Sequence, residues 1–129
     1  MKALALDYGA VRTGVAISDA TGLLARPLGV VEQAASPAGL ARIRDLVDEH
    51  GVDLVVVGLP LTLRGERGSQ AAETEAFVSA LRDALGVPVE TYDERFTTTL
   101  AIRGEGSAPE DARAAAHLLE SYLAWAART

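Results

Sequence analysis

Several residue types that build common functional sites are absent or scarce in this 129-residue sequence. It contains no cysteine, which excludes disulfides and thiolate metal ligands, and only two histidines, so oxygen atoms are the main metal ligands left. Such ligands favour hard cations such as Mg²⁺ and Mn²⁺. No apolar run has the length of a membrane span or the form of a signal peptide, so we expect a cytoplasmic protein that does not contact a membrane.

Positive charge is also scarce, because 12 Lys and Arg residues stand against 18 Asp and Glu residues and give a net charge of −6. That balance argues against a basic coat for nonspecific nucleic-acid binding. A metal site that handles phosphates nevertheless needs clustered acids, and bound divalent ions reverse the sign of the local field. Arginines in loops or at element ends can clamp phosphates bidentately. The arginines predicted to lie in such places are Arg12, Arg64, Arg67, Arg95 and Arg103.

Apolar periodicity and turn residues predict an α/β fold with a five-stranded mixed sheet and flanking helices. Three short strands come first, at residues 2–7, 14–18 and 28–31. They leave no room for helices between them, so we expect antiparallel neighbours. A helix, a strand, a second helix, a last strand and a third helix follow. Ser36-Pro37 is typical of a helix start. The branched run 54–57 predicts a central parallel strand, and residues 87–92 predict a strand at the edge of the sheet. The whole chain, 1–129, is expected to be one domain.

Each predicted helix carries an apolar stripe at helical spacing. Gly51 and Gly86 are predicted to end the first two helices. The residues predicted to face the core are Leu40, Ile43, Val47 and His50 in the first helix, Phe77, Ala80, Leu81 and Ala84 in the second, and Ala115, Leu118, Tyr122 and Trp125 in the third.

Three acidic residues are predicted to converge at one edge of the sheet. Asp7 ends the first strand and Glu94 ends the last, and both strands should run parallel to the central one, so their carboxyl ends share an edge. Asp111 lies on the inward stripe of the third helix, where an acid needs a partner. Converging carboxylates raise one another's pKa values unless a cation lies among them, and two divalent ions held in this way can hydrolyse phosphodiesters. The three residues are therefore candidate metal ligands and catalytic residues.

Each acid also has an interpretation without chemistry. Aspartate at position 7 suits the start of a turn. Taken alone, Asp111 is better explained as a first-turn acid that offsets the helix dipole. Asp93 and Glu94 suit a surface ion pair with Arg95, a common and energetically minor arrangement. Only the combination of acids favours a functional site.

Four stretches carry a resemblance that spans nearly the whole chain. They are Asp-Tyr-Gly-Ala-Val-Arg-Thr-Gly-Val-Ala-Ile-Ser-Asp at 7–19, Val-Val-Gly-Leu-Pro-Leu at 56–61, Asp-Glu-Arg-Phe-Thr-Thr at 93–98, and Asp111 in the closing helix. In this order they resemble the YqgF family of small bacterial proteins, described both as Holliday junction resolvases and as pre-16S ribosomal RNA processing nucleases. The resemblance implies a ribonuclease H-like fold and a divalent-metal-dependent nuclease that uses Mg²⁺ or Mn²⁺.

The resemblance also implies roles for individual residues. Asp7, Glu94 and Asp111 are the implied metal ligands, with Asp93 as an alternative to Glu94. Adjacent strand residues point to opposite faces, so only one of those two is expected to face the metal. Which one it is stays open.

By the same resemblance, Arg12 and Arg95 position phosphate or order the site, while Gly9 and Gly14 let backbone approach it closely. Tyr8 and Phe96 are the only aromatic residues expected beside the site, where single-strand binders stack bases. Two further arginines in the loop predicted after Pro60 are expected to contact phosphates: Arg64 and Arg67.

Nucleic acid is the expected partner, with RNA favoured and structured DNA as an alternative. Cleavage of a four-way junction demands a symmetric dimer, and the sequence shows no evident dimer seam, so monomer and homodimer both stay open. A Holliday junction resolvase and a non-catalytic RNA-binding module are the alternative functions. Three retained acids argue against a pure binder. A fragment related to actin and sugar kinases is disfavoured, since those proteins enclose a nucleotide between two domains.

Overall fold

The structure, a computed structural model, describes residues 1–59, 68–93 and 110–127. Its elements are β1 (Ala3–Asp7), β2 (Arg12–Ser18), β3 (Ala25–Glu32), α1 (Pro37–His50), β4 (Leu54–Leu59), α2 (Ser69–Ala84), β5 (Val89–Asp93) and α3 (Glu110–Ala126). The strands form one sheet in the order β3-β2-β1-β4-β5. β2 pairs antiparallel with both β1 and β3, whereas β4 pairs parallel with β1 and β5. The predicted five-stranded mixed sheet is confirmed.

The sheet separates two apolar clusters, because successive strand residues point to opposite faces. Leu4 and Leu6 of β1 pack on the face covered by α1 and α2. Ala3 and Ala5 point the other way, into the cluster that contains the buried residues of α3. The strands that carry Asp7 and Asp93 both run parallel to β4, so their carboxyl ends lie at one edge of the sheet, as predicted.

Local signals fix the ends of α1. Ser36 caps its N-terminus by accepting a hydrogen bond from the Gly39 backbone N–H at 3.1 Å, and Pro37 occupies the first helical position. Gly51 ends it in the left-handed conformation, with φ of 64°. These three predictions are confirmed. Gly86 does not act in the same way for α2, because the helix ends at Ala84 with Leu85 extended as its cap.

Other expectations differ in detail. The residues of the predicted helical stripes that are only partly buried are Leu40, His50, Ala80 and Ala84. Trp125 is 49% exposed, so its assignment to the core is wrong. It lies near the end of α3, where its ring packs against Tyr92 and Tyr122 rather than under the sheet.

The outer strand β3 is longer than predicted. It begins at Ala25 instead of Leu28 and includes Pro27. A proline is tolerated there because an edge strand does not need every backbone N–H for the ladder. The pairing register with β2 shifts between Val15 and Ala16, which marks a β-bulge.

Within the described ranges, no helix is both long and apolar enough to cross a bilayer.

Candidate active site

Asp7 lies where β1 ends, on the sheet face that α3 covers. Its strand neighbours Ala3 and Ala5 point to that face, and its pairing partner across the β1–β2 ladder is Gly14. The side chain is neither fully buried nor free in solvent. Burial, and to a smaller extent the negative charge of Asp111, raises the pKa of the Asp7 carboxyl above its usual value. An acid in this position is stabilised by a nearby cation.

Gly14 allows the first turn of α3 to reach Asp7. A Cβ atom at this position would overlap the backbone carbonyl oxygen of Asp111, which is rigid helix backbone. Only a residue without a side chain therefore fits between β2 and α3 here. The backbone that approaches Gly14 is the chain's own helix, and the role in the site that the resemblance implies for this glycine stays a prediction.

Gly9 serves the turn that follows Asp7. A Cβ atom there would overlap the carbonyl oxygen of Arg12 across the turn. The turn is also held by the Gly9 backbone N–H, which donates to the Thr13 hydroxyl at 3.3 Å, and Thr13 itself is fully buried. The two glycines therefore shape the turn and the helix contact that surround the carboxylates.

Arg12 meets Asp111 above this turn. Its Nε atom lies 3.2 Å from Oδ2 of Asp111, and the two side chains are 61% and 38% exposed. Arg12 shares the α3 side of β2 with Gly14 and Ala16, so it faces the same way as Asp7. The described residues thus bring two predicted acids and one predicted arginine together at one place.

Asp93 lies at the same edge of the sheet but on its other face. In β5, Val89 packs on the side of α1 and α2, while Tyr92 packs on the side of α3. Asp93 shares the side of Val89 by the strand's alternation, whereas Asp7 points to α3. The structure therefore does not place Asp93 beside the other acids.

Tyr8 also belongs to the other face. Its ring stacks on that of Phe77 in α2, with 4.4 Å between ring centroids, and it packs against the large apolar cluster. It is consequently not the stacking platform beside the carboxylates that the sequence suggested. No local signal showed this, because the partner ring is almost seventy residues away in the chain.

Some predicted site residues lie outside the described ranges: Glu94, Arg95, Phe96, Arg64, Arg67 and Arg103. Among the residues that the structure does describe, no group of three or more His, Cys, Asp or Glu side chains forms a metal-binding cluster. The described part of the site is therefore a pair of carboxylates with an arginine. Its chemistry suits hard cations, which prefer oxygen ligands.

Comparison with known proteins identifies the family of the chain. The family model described as "RuvX: Holliday junction resolvase" matches residues 1–125. A protein from Chloroflexus aurantiacus is 46% identical over 93% of this chain and 84% of its own length. One from Geobacillus kaustophilus is 38% identical over 95% of this chain and 97% of its own length. The names of both relatives include the words pre-16S rRNA nuclease.

Solved structures support the fold. Thermus thermophilus RuvC in complex with a Holliday junction substrate is similar with a TM-score of 0.69 and 22% identity, covering 99% of this chain and 95% of that one. A second Thermus thermophilus RuvC structure gives a TM-score of 0.63 at 20% identity. At such identities the similarity concerns the fold, which is ribonuclease H-like as predicted. Together with the family match over residues 1–125, these comparisons show that the chain belongs to the RuvX family.

Proposed function

We propose that this protein is a divalent-metal-dependent nuclease that hydrolyses phosphodiester bonds of RNA during maturation of pre-16S ribosomal RNA. The observation that carries the proposal is the approach of Asp111 at Gly14, near enough for its charge to act on Asp7, with Arg12 paired to Asp111. The relatives whose names include the words pre-16S rRNA nuclease, at 38% to 46% identity, support both the activity and the substrate.

The described acids fit a hard divalent cation. Asp7 combines partial burial with a negatively charged neighbour, and both raise the pKa of its carboxyl, so binding a cation would relieve the repulsion. Asp7 and Asp111 would hold the ion through carboxylate oxygens. When bound, Mg²⁺ or Mn²⁺ supplies activation of the attacking water and stabilises charge on the leaving oxygen.

The third ligand in the proposal is Glu94 rather than Asp93. Glu90 and Tyr92 lie on the α3 side of β5, since the Glu90 carboxylate accepts a hydrogen bond from the Tyr122 hydroxyl at 2.8 Å. Glu94 lies outside the described residues and is proposed as the third ligand on the family resemblance. Asp93 falls on the opposite face and is the weaker candidate.

The chain's own residues have distinct tasks in this proposal. Asp7 and Asp111 orient the ion, while the Arg12 guanidinium supplies positive charge for a phosphate at the mouth of the site. Arg64, Arg67 and Arg95 are proposed to add further phosphate contacts.

Structured DNA is the second substrate class. It is supported by the family's description as a Holliday junction resolvase. The RuvC structure with a junction is 22% identical to this chain and bears on the fold alone. Since junction cleavage requires two sites presented symmetrically, this alternative also requires a dimer.

The test is cleavage of a labelled panel by the wild type and Asp7→Asn, with Mn²⁺, Mg²⁺ or chelator. The panel holds single-stranded RNA, a pre-16S ribosomal RNA fragment, single-stranded DNA and a four-way junction. We expect metal-dependent cleavage of RNA, lost by at least about 100-fold in Asp7→Asn, since a site ligand is removed. Asp83→Asn removes an exposed acid of α2 and serves as the matched control, with wild-type cleavage expected.

Three results would contradict parts of the proposal. An active Asp7→Asn protein would remove Asp7 from the site. Cleavage confined to the junction would favour the DNA alternative. Binding of RNA without cleavage by any variant would favour a non-catalytic binding module.

A further inference from the structure

The ion pair between Arg12 and Asp111 involves a carboxylate that the proposed function assigns to a metal ion. The Nε atom of Arg12 lies 3.2 Å from Oδ2 of Asp111, so the guanidinium already occupies one oxygen of a proposed ligand. An arginine and a divalent ion both require the negative charge of this oxygen. Arg12 and a divalent ion would therefore compete for the Asp111 carboxylate.

A second acidic residue, Glu32, lies beside Arg12 in the sheet. Glu32 is its direct partner across the β2–β3 ladder, on the same face of the sheet. Within the described residues, Arg12 pairs with Asp111 of α3 and makes no ion pair with Glu32. The Arg12 side chain is therefore directed toward Asp111 of the carboxylate pair and not toward Glu32.

Removing Arg12 should expose the repulsion between the acids. The negative charge of Asp111 already acts on the Asp7 carboxyl with the arginine in place. The guanidinium partly neutralises Asp111 and holds its carboxylate at the β1–β2 turn. We infer that Arg12 is a positioning residue, a resident counter-ion of Asp111 that a divalent metal ion must displace when it binds. This inference rests on the proposed function, because it concerns the same carboxylates.

Both side chains are partly exposed, 61% for Arg12 and 38% for Asp111, so the competition should be modest. Exposed ion pairs contribute little to stability, so displacing the Arg12–Asp111 pair should change the apparent metal affinity by only about twofold to fivefold. Screening by salt weakens an exposed pair, so the effect should shrink at high ionic strength.

The test is calorimetric titration of Mn²⁺ into the full chain at low salt without nucleic acid. The variants are Arg12→Gln, Arg12→Lys and Asp7→Asn. Arg42→Gln is the matched control, because Arg42 forms a comparably exposed pair with Glu49 at 3.6 Å on α1. We expect Arg12→Gln to bind Mn²⁺ about twofold to fivefold more tightly than the wild type. Arg42→Gln and Arg12→Lys should remain close to the wild type.

A second readout is the melting temperature of the same variants with and without Mn²⁺. Without metal, Arg12→Gln should melt lower than the wild type, because the acids then repel each other unscreened. Its gain in melting temperature on adding Mn²⁺ should exceed that of the wild type. A purely structural role for Arg12 would lower both temperatures equally.

The outcomes separate this inference from the proposed function. If Asp7→Asn loses Mn²⁺ binding while Arg12→Gln binds as the wild type does or more weakly, Arg12 does not compete and the inference is overturned. If Asp7→Asn binds Mn²⁺ as tightly as the wild type, the proposed metal site itself is wrong.

Discussion

Strands β1 and β2 present side chains of different size to the two faces of the sheet. The face under α1 and α2 is filled by large residues such as Leu4, Val57 and Phe77. On the face under α3, β1 and β2 present small residues, Ala3, Ala5, Gly14 and Ala16, although the cluster also contains larger residues of α3 such as Leu118 and Tyr122. Small side chains let a helix approach a sheet closely, whereas large ones fill the space between layers. The face under α1 and α2 holds the larger cluster of buried apolar residues, whereas on the face under α3 the close approach at Gly14 places Asp111 near Asp7.

The largest expected effect is a loss of stability from a substitution on the face under α1 and α2. Phe77 is 2% exposed and stacks on Tyr8, so Phe77→Ala should cost about 3–5 kcal/mol of folding free energy. Chemical denaturation measures this loss. The affinity for Mn²⁺, measured where the variant is still folded, should stay unchanged because the carboxylates lie on the other face. A tenfold loss of that affinity would show that the two faces are not independent.

A smaller loss of stability with a larger loss of function is expected on the other face. Gly14→Ala places a methyl group against the Asp111 carbonyl, so α3 must shift, at a cost of about 1–3 kcal/mol. Because Asp111 moves with it, Mn²⁺-dependent cleavage should fall at least tenfold. Gly29→Ala is the matched control, since open space surrounds a Cβ at that strand position. Equal behaviour of the two variants would contradict the close approach of α3.

The smallest expected effect is a gain of stability on losing a charge. The raised pKa of Asp7 in the folded protein means that its ionisation favours the unfolded chain once the pH exceeds the unfolded value of about 4. Asp7→Asn should therefore melt at a higher temperature than the wild type at pH 7 without metal. The gain should vanish below about pH 4, where the carboxyl is protonated in both states. A lower melting temperature at pH 7 would contradict this account.

Much of the fold was predictable because its signals are local. Ser36-Pro37 and Gly51 mark the ends of α1 by hydrogen bonding and backbone conformation alone. The branched residues 54–57 predict a strand that is covered on both faces. The three early strands are too close in sequence to leave room for crossovers, so they pair antiparallel. The strand directions follow from these signals.

The site was predictable in composition but not in contacts. Motif resemblance predicted Asp7, Arg12 and Asp111 as site residues, yet the ion pair between Arg12 and Asp111 depends on how α3 docks, which no local pattern encodes. The same holds for Trp125, whose spacing fits the apolar stripe although its side chain is 49% exposed and its ring packs on the edge of the cluster, against Tyr92 and Tyr122. Tertiary packing decided these cases.

Asp111 offers the most direct test of the central claim, because its two interpretations predict different results. As a first-turn acid it would only offset the helix dipole, and Asp111→Asn would lower stability by about 0.3–1 kcal/mol and leave cleavage intact. As a site residue it is required for metal-dependent chemistry. The decisive measurement is the Mn²⁺-dependent cleavage rate of a pre-16S ribosomal RNA fragment by Asp111→Asn. We predict a loss of at least about 100-fold with the fold retained. Cleavage at the wild-type rate would contradict the account.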